Sequence, residues 1–199
     1  PRWLKREIPK GNTNHFTAGL LDELNLETGS TKRLFRSEVP YYERPMAVLD
    51  KKNSVIITSE YNQYATTRLD ITRSGARQVW KQPYASGVCP PVIHKGHVYW
   101  CWRGLYCLDF KTGKPIWRGG VFGDTASCIV TSDDRLIAWG RRGDLVLAET
   151  ADRSARKYTE LARRKDLMKN DAWPHIVLSG GQLYCRDRDG NMKCFVLTR

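Results

Sequence analysis

Several kinds of chemistry are missing from this chain of 199 residues. It has no Cys-x-x-Cys pair, no adjacent cysteines and no Cys-x-x-Cys-His segment, so dithiol redox and haem-attachment readings lose their signature. Nothing of the form Gly-x-Ser-x-Gly, Gly-x-x-x-x-Gly-Lys-Ser/Thr or His-Glu-x-x-His occurs, which removes the nucleophile elbow, the phosphate cradle and the helical zinc hydrolase. No run approaches the roughly 18 consecutive apolar residues of a membrane-spanning helix. No charged-then-apolar signal segment opens the chain, and one removed before Pro1 would leave no trace. There is no Trp-Asp dipeptide, the mark of one common class of propeller blade.

What is present is a repeat. Leu24-Asn25-Leu26-Glu27-Thr28-Gly29, Leu69-Asp70-Ile71 through Gly75, Leu108-Asp109-Phe110-Lys111-Thr112-Gly113 and Ala148-Glu149-Thr150 each end a strand-like run and open a turn. The turns lead to an aromatic residue: Phe35, Trp80, Trp117 or Tyr158. With Leu24, Leu69, Leu108, Ala148 and Phe195 as equivalent positions, the spacings are 45, 39, 40 and 47 residues. Ahead of the turn motifs run second strands at 55–59, 97–102, 136–139 and 183–186, and first strands at 46–49, 91–94, 128–130 and 175–178. Each such pair is joined by a short polar turn, the grammar of a β-hairpin. These segments are short, rich in Val, Ile, Tyr and Trp, and lack the i, i+3, i+4, i+7 pattern that helical repeats require. Three or four antiparallel strands at this period describe the blade of a propeller.

The segment Gly104-Leu105-Tyr106-Cys107-Leu108-Asp109-Phe110-Lys111-Thr112-Gly113-Lys114-Pro115-Ile116-Trp117 resembles the repeat of the quinoprotein-dehydrogenase-like, or PQQ-like, β-propellers. That blade pattern has a Gly, a strand ending in small-Leu-Asp, a Thr-Gly turn and a Trp that docks between neighbouring blades. The match weakens in the flanking units, where Gly75 and Trp80 are one residue further apart and Ala151-Asp152-Arg153 replaces the Thr-Gly turn. The resemblance implies an all-β fold of about four-stranded antiparallel blades, with Trp80 and Trp117 as the docking residues. It also implies a ring of seven or eight blades. The expected organisation is one propeller region over 1–199, with blade-like units at about 15–44, 45–88, 89–126, 127–172 and 173–199. At this period the chain has room for four units and a remainder. Either the strand-like Pro1 to Ile8 completes the last blade and closes a small ring, or the chain is an arc of a longer one; exposed sheet edges argue for the arc.

The chain carries 33 Lys and Arg against 21 Asp and Glu, a formal charge of +12 that suits acidic partners or solubility alone. Arg153, Arg156, Lys157, Arg163, Arg164, Lys165 and Lys169 crowd the stretch 153–169, where the period lengthens and Leu161, Leu167 and Met168 suggest a weak helical face. This stretch is expected to be a basic insertion outside the sheet. The turns after the second strands carry Tyr61, then Trp102 and Arg103, then Arg141 and Arg142, then Arg186 and Arg188. In a propeller such turns share one end of the disc, so these seven residues are the candidate partner-binding face. A protein partner is expected there, with a polyanion, further propeller blades or a second copy as alternatives.

No catalytic, cofactor or metal residues are assigned. The six cysteines mostly alternate with apolar residues in predicted strands and read as buried thiols. His94 and His97 flank Lys95-Gly96, so a hairpin would set two imidazoles opposite each other, but a zinc site needs three or four ligands. The resemblance also covers dehydrogenases that use pyrroloquinoline quinone with calcium. Those have a vicinal disulfide and a Glu, Asn and Asp ligand set that do not map onto this chain, so an alcohol or sugar dehydrogenase is the alternative to a non-catalytic interaction platform. Propellers of this kind include bacterial envelope lipoproteins that help assemble outer-membrane proteins, which implies an extracytoplasmic or periplasmic location.

Overall fold

The computed structural model describes residues 20–24, 27–36, 46–49, 53–58, 64–72 and 74–197. Within them the chain is all-β. A two-stranded sheet pairs β1 (Leu20–Leu24) with β2 (Thr31–Arg36). Three four-stranded sheets follow: β3 (Met46–Leu49), β4 (Ser54–Thr58), β5 (Thr66–Thr72) and β6 (Gly75–Gln82); then β7 (Val92–His94), β8 (His97–Trp102), β9 (Gly104–Asp109) and β10 (Pro115–Gly119); then β11 (Ala126–Val130), β12 (Arg135–Gly140), β13 (Asp144–Glu149) and β14 (Glu160–Arg164). A three-stranded sheet of β15 (Val177–Ser179), β16 (Gln182–Arg186) and β17 (Met192–Val196) comes last. Every sheet is an antiparallel meander in sequence order, and no strand of the last sheet pairs with one of the first among the described residues. The described residues thus form an open arc of propeller blades.

Burial explains why the strands sit in this order. The second strands are the core: Val55 and Ile56, Val98 through Cys101, and Leu136 through Trp139 are all buried. β9 is likewise apolar and buried, whereas the outer strand β14 shows mostly exposed side chains and the outer strand β6 buries only Trp80. The stretch expected to be a basic insertion contributes β14, which pairs with β13 from Leu145↔Arg164 to Ala148↔Glu160. An outer strand has solvent over much of both faces, so Glu160–Arg164 carries charge where an inner strand alternates, and its sequence hides it.

The outer strands share a further device. Register slips by one residue where each pairs with its inner neighbour, placing the extra residue at Leu34, Val79, Ile116 and Leu161. A bulge twists a strand and re-aims the side chain beside it. The next residues are Phe35, Trp80, Trp117 and Ala162, so Ala162 holds the register position of the docking aromatic in the third four-stranded sheet. Tyr158, the aromatic expected there, lies ahead of β14 and packs back on Gly119 and Trp117.

Trp80 and Trp117 dock as the blade pattern implies. Trp80 Nε1 donates to the Phe110 carbonyl at 2.9 Å, and Trp117 Nε1 donates to the Ser154 carbonyl at 3.1 Å, each crossing to the next sheet. The turn that receives Trp80 is built for it. Asp109 Oδ1 accepts from both the backbone N–H and the hydroxyl of Thr112 at 2.6 Å, and Gly113 turns at φ +72°. A Cβ on Gly113 would stand 2.6 Å from the Trp80 ring. The Asp, Thr and Gly of the repeat therefore shape a seat for the preceding blade's tryptophan.

Candidate functional site

Alternating strand direction puts the turns after the second strands at one end of the arc, together with the loops that enter each next sheet. Backbone hydrogen bonds stitch these segments into a continuous line. Arg103 N donates to Gly123 O at 2.7 Å, and Arg141 N donates to Phe122 O at 3.0 Å, so the loop between β10 and β11 bridges two successive arginine turns. Ala172 N then donates to Arg141 O at 2.6 Å, and Arg188 N to Asp171 O at 2.8 Å, carrying the line across the loop between β14 and β15. Arg103 and Arg141 adopt positive φ of 56° and 51° to make these turns.

A cleft of about 310 Å³ opens at this end, lined by Tyr64, Val88, Trp102, Arg103, Asp124 and Trp173, among others. The loop carrying Trp173 and the loop that enters β7 line this cleft together. Desolvation holds the His175 pKa below the usual histidine value, with the nearby Val88 backbone opposing. Tyr64 is half exposed and tilts against Trp102 at a centroid separation of 5.5 Å. Two guanidinium groups lie over the flanking indoles: Arg103 at 4.9 Å from the Trp102 ring and Arg188 at 5.1 Å from the Trp173 ring. Trp102 is pressed onto Gly87, whose φ is +58° and where a Cβ would come within 2.3 Å of the indole.

Arg103 is ion-paired with Asp124, and that bond raises its pKa. Among the described residues no ion pair joins Arg141, Arg142, Arg186 or Arg188 to a carboxylate. The structure thus sets Trp102, Arg103, Arg141, Arg142, Arg186 and Arg188 at one end, while Tyr61 lies outside the described residues. Sequence reasoning did not single out Tyr64, Asp124 or Trp173. Asp124 and Trp173 come from loops between sheets, whose sequences do not repeat, and Tyr64 shares the segment between β4 and β5 with Tyr61 but lies three residues further on, next to β5. The basic stretch divides. Arg153 pairs with Glu149, and Arg163 pairs with Glu160 and Asp144 while lying over Phe122, leaving Arg156, Lys157, Arg164, Lys165 and Lys169 exposed.

At the opposite end His94 and His97 face each other across their hairpin, yet His94 Nε2 bonds Asp134 Oδ1 at 2.7 Å. Lys95 Nζ takes Asp134 Oδ2 at 2.6 Å, and these two hydrogen bonds, Lys95 first, hold the Asp134 carboxyl below the usual range. The donor atoms of His94, Asp134 and Asp152 lie within 4.8 Å of one another. Asp134 thus joins two sheets, holding His94 and Lys95 of one from a turn of the next.

No protein-family model matches the chain. The computationally designed protein Ika4 aligns with a TM-score of 0.61 at 10% identity, over 84% of this chain and 99% of Ika4. BamB from Moraxella catarrhalis aligns with a TM-score of 0.57 at 17% identity, over 90% of this chain and 56% of BamB. These likenesses show the β-propeller fold. This chain spans little more than half of BamB. A lipoyl synthase of Rhodopirellula baltica is 64% identical over 28 residues, 14% of this chain and 9% of that protein, a stretch too short to carry a family.

Proposed function

We propose that the chain is a rigid, non-catalytic propeller platform that captures an acidic segment of a protein partner at its arginine-bearing end. The observation that carries this reading is the hydrogen-bonded line through Arg103, Arg141 and Arg188 at the rim of an aromatic cleft. The Arg188 guanidinium, laid on the Trp173 indole, keeps its N–H edge free for a carboxylate, an incoming carboxylate competes with Asp124 for Arg103, and a ring-lined cleft takes one apolar anchor. Turns already fixed by backbone bonds lose little freedom on binding. The same chemistry suits other polyanions, and the location implied by the repeat resemblance, outside the cytoplasm, belongs to this proposal.

A labelled poly-glutamate peptide titrated by fluorescence anisotropy tests it. Saturable binding that weakens with added salt is expected, and Arg103→Glu, Arg141→Glu and Arg188→Glu together abolish it without lowering Tm. Binding that survives the triple variant would remove this surface. Duplex DNA bound more tightly than the peptide would favour the polyanion reading. Tight, calcium-dependent, one-to-one binding of pyrroloquinoline quinone in a calorimeter would overturn the non-catalytic assignment.

A further inference from the structure

Three cysteines meet in the closed seam between the second and third four-stranded sheets. Cys89 lies just ahead of β7, Cys101 in β8 and Cys128 in β11, and β11 packs against both β7 and β8. Each is at most 3% exposed. The Cys89 and Cys128 sulfurs are 4.0 Å apart, although the residues are 39 positions apart in sequence. Cys101 reaches Cys89 differently, donating its backbone N–H to Cys89 Sγ at 3.2 Å. Cys107 lies in β9, and Cys185 and Cys194 belong to the last sheet.

We propose that Cys89 and Cys128 are a disulfide site that staples these two blades together when the protein folds in the presence of a disulfide donor. To bond, the sulfurs must close from 4.0 Å to about 2.05 Å. That is about 1 Å on each side, within the sweep of a rotation about each Cα–Cβ bond. The chemistry is thiol–disulfide exchange with a small disulfide such as oxidised glutathione, or with an oxidoreductase. The thiolate of one cysteine attacks the donor, forming a mixed disulfide and releasing one donor thiol. The second cysteine then attacks the protein sulfur of that mixed disulfide, forms the Cys89–Cys128 bond and releases the second donor thiol. Two protein thiols and one donor disulfide become one protein disulfide and two donor thiols, so the donor takes up the two electrons.

Burial decides when this happens and what the bond is for. In the folded chain neither sulfur meets solvent, so exchange belongs to the stage before the two sheets dock. Once the seam has closed, the same burial shields the bond from reductants. The bond is accordingly a structural staple and not a switch.

The sequence permits a clean test, because trypsin places the six cysteines on six different peptides, including 82–95, 96–103, 104–111, 119–135 and 170–186. The full chain is unfolded, refolded in a glutathione redox buffer, alkylated in denaturant and digested without reduction. Mass spectrometry is expected to find 82–95 joined to 119–135, with 96–103, 104–111 and 170–186 alkylated. The oxidised protein melts about 5–10 °C above the same protein held in reductant. Cys101→Ser keeps the cross-link, and Cys128→Ser removes it. Should Cys128→Ser fail to fold, the wild-type peptide map and the Cys101→Ser variant decide alone. Recovery of 82–95 and 119–135 as alkylated peptides, a cross-link from 82–95 to 96–103, or equal melting with and without reductant would overturn the proposal.

Discussion

The two ends of the arc are made from the same kinds of residue and use them differently, although each holds some ion pairs, Arg103–Asp124 among them at the arginine-bearing end. At the end of the first-hairpin turns, charges are spent internally. Asp70 takes Arg68 and Arg77, Asp134 takes His94 and Lys95, and Glu149 takes Arg153. At the other end Arg141, Arg142, Arg186 and Arg188 have no carboxylate among the described residues, and Arg188 lies on an indole instead. Tryptophan seated on glycine occurs at both ends. Trp80 on Gly113 is 8% exposed and hydrogen-bonded to the next sheet, whereas Trp102 on Gly87 is only partly buried and lines a cleft. A motif that closes a seam at one end frames an opening at the other.

Breaking the structural end should have the largest effect. Trp117→Ala removes a side chain 6% exposed and its bond to the next sheet, and is expected to cost about 3–5 kcal/mol in urea unfolding. Gly113→Ala combines positive φ with a Cβ driven into the Trp80 ring and should cost about 1–3 kcal/mol. Gly180→Ala also has positive φ but open space around it, and should fall at the lower end of that range. The Asp134 network should matter less, and only in one pH window. Its carboxyl pKa is lowered in the folded state, so its contribution is present above the ordinary aspartate value of about 4 and is lost as pH falls through the folded value. Asp134→Asn should therefore lower Tm slightly at pH 7, and the two proteins should melt together in strong acid. Gly87→Ala sharpens the contrast from the other side: by displacing Trp102 it should weaken acidic-peptide binding more than its effect on stability accounts for.

The strand pairs were legible because alternation and turns repeat. β3, β8, β12 and β16 fall where the apolar runs place them, and the Asp109–Thr112–Gly113 turn does in space what its residues imply. β14 was illegible for the reason that makes it an outer strand, since exposure on both faces erases alternation. Tyr158 misled because spacing from the turn cannot see that the turn at 150–159 is longer than its counterparts; the bulge register identifies Ala162 as the equivalent position. The arginine turns were visible as a repeat, but the cleft beside them was not, because Asp124 and Trp173 come from loops between sheets that share no pattern, and Tyr64 lies three residues beyond Tyr61, the residue that the repeat singled out. The Cys89–Cys128 contact was hidden in the same way, as it depends on how one blade packs against the next.

The central claim is that one end binds acidic partners and the rest of the positive charge does not. The most direct measurement compares two triple variants with the same change in charge by anisotropy against labelled poly-glutamate at fixed ionic strength. One carries Arg103→Glu, Arg141→Glu and Arg188→Glu; the other carries Lys111→Glu, Lys114→Glu and Arg156→Glu, exposed residues in turns of the opposite end. The account predicts that the first loses binding and the second keeps it. Equal losses in both would mean that net charge alone attracts the peptide, and would contradict a binding face.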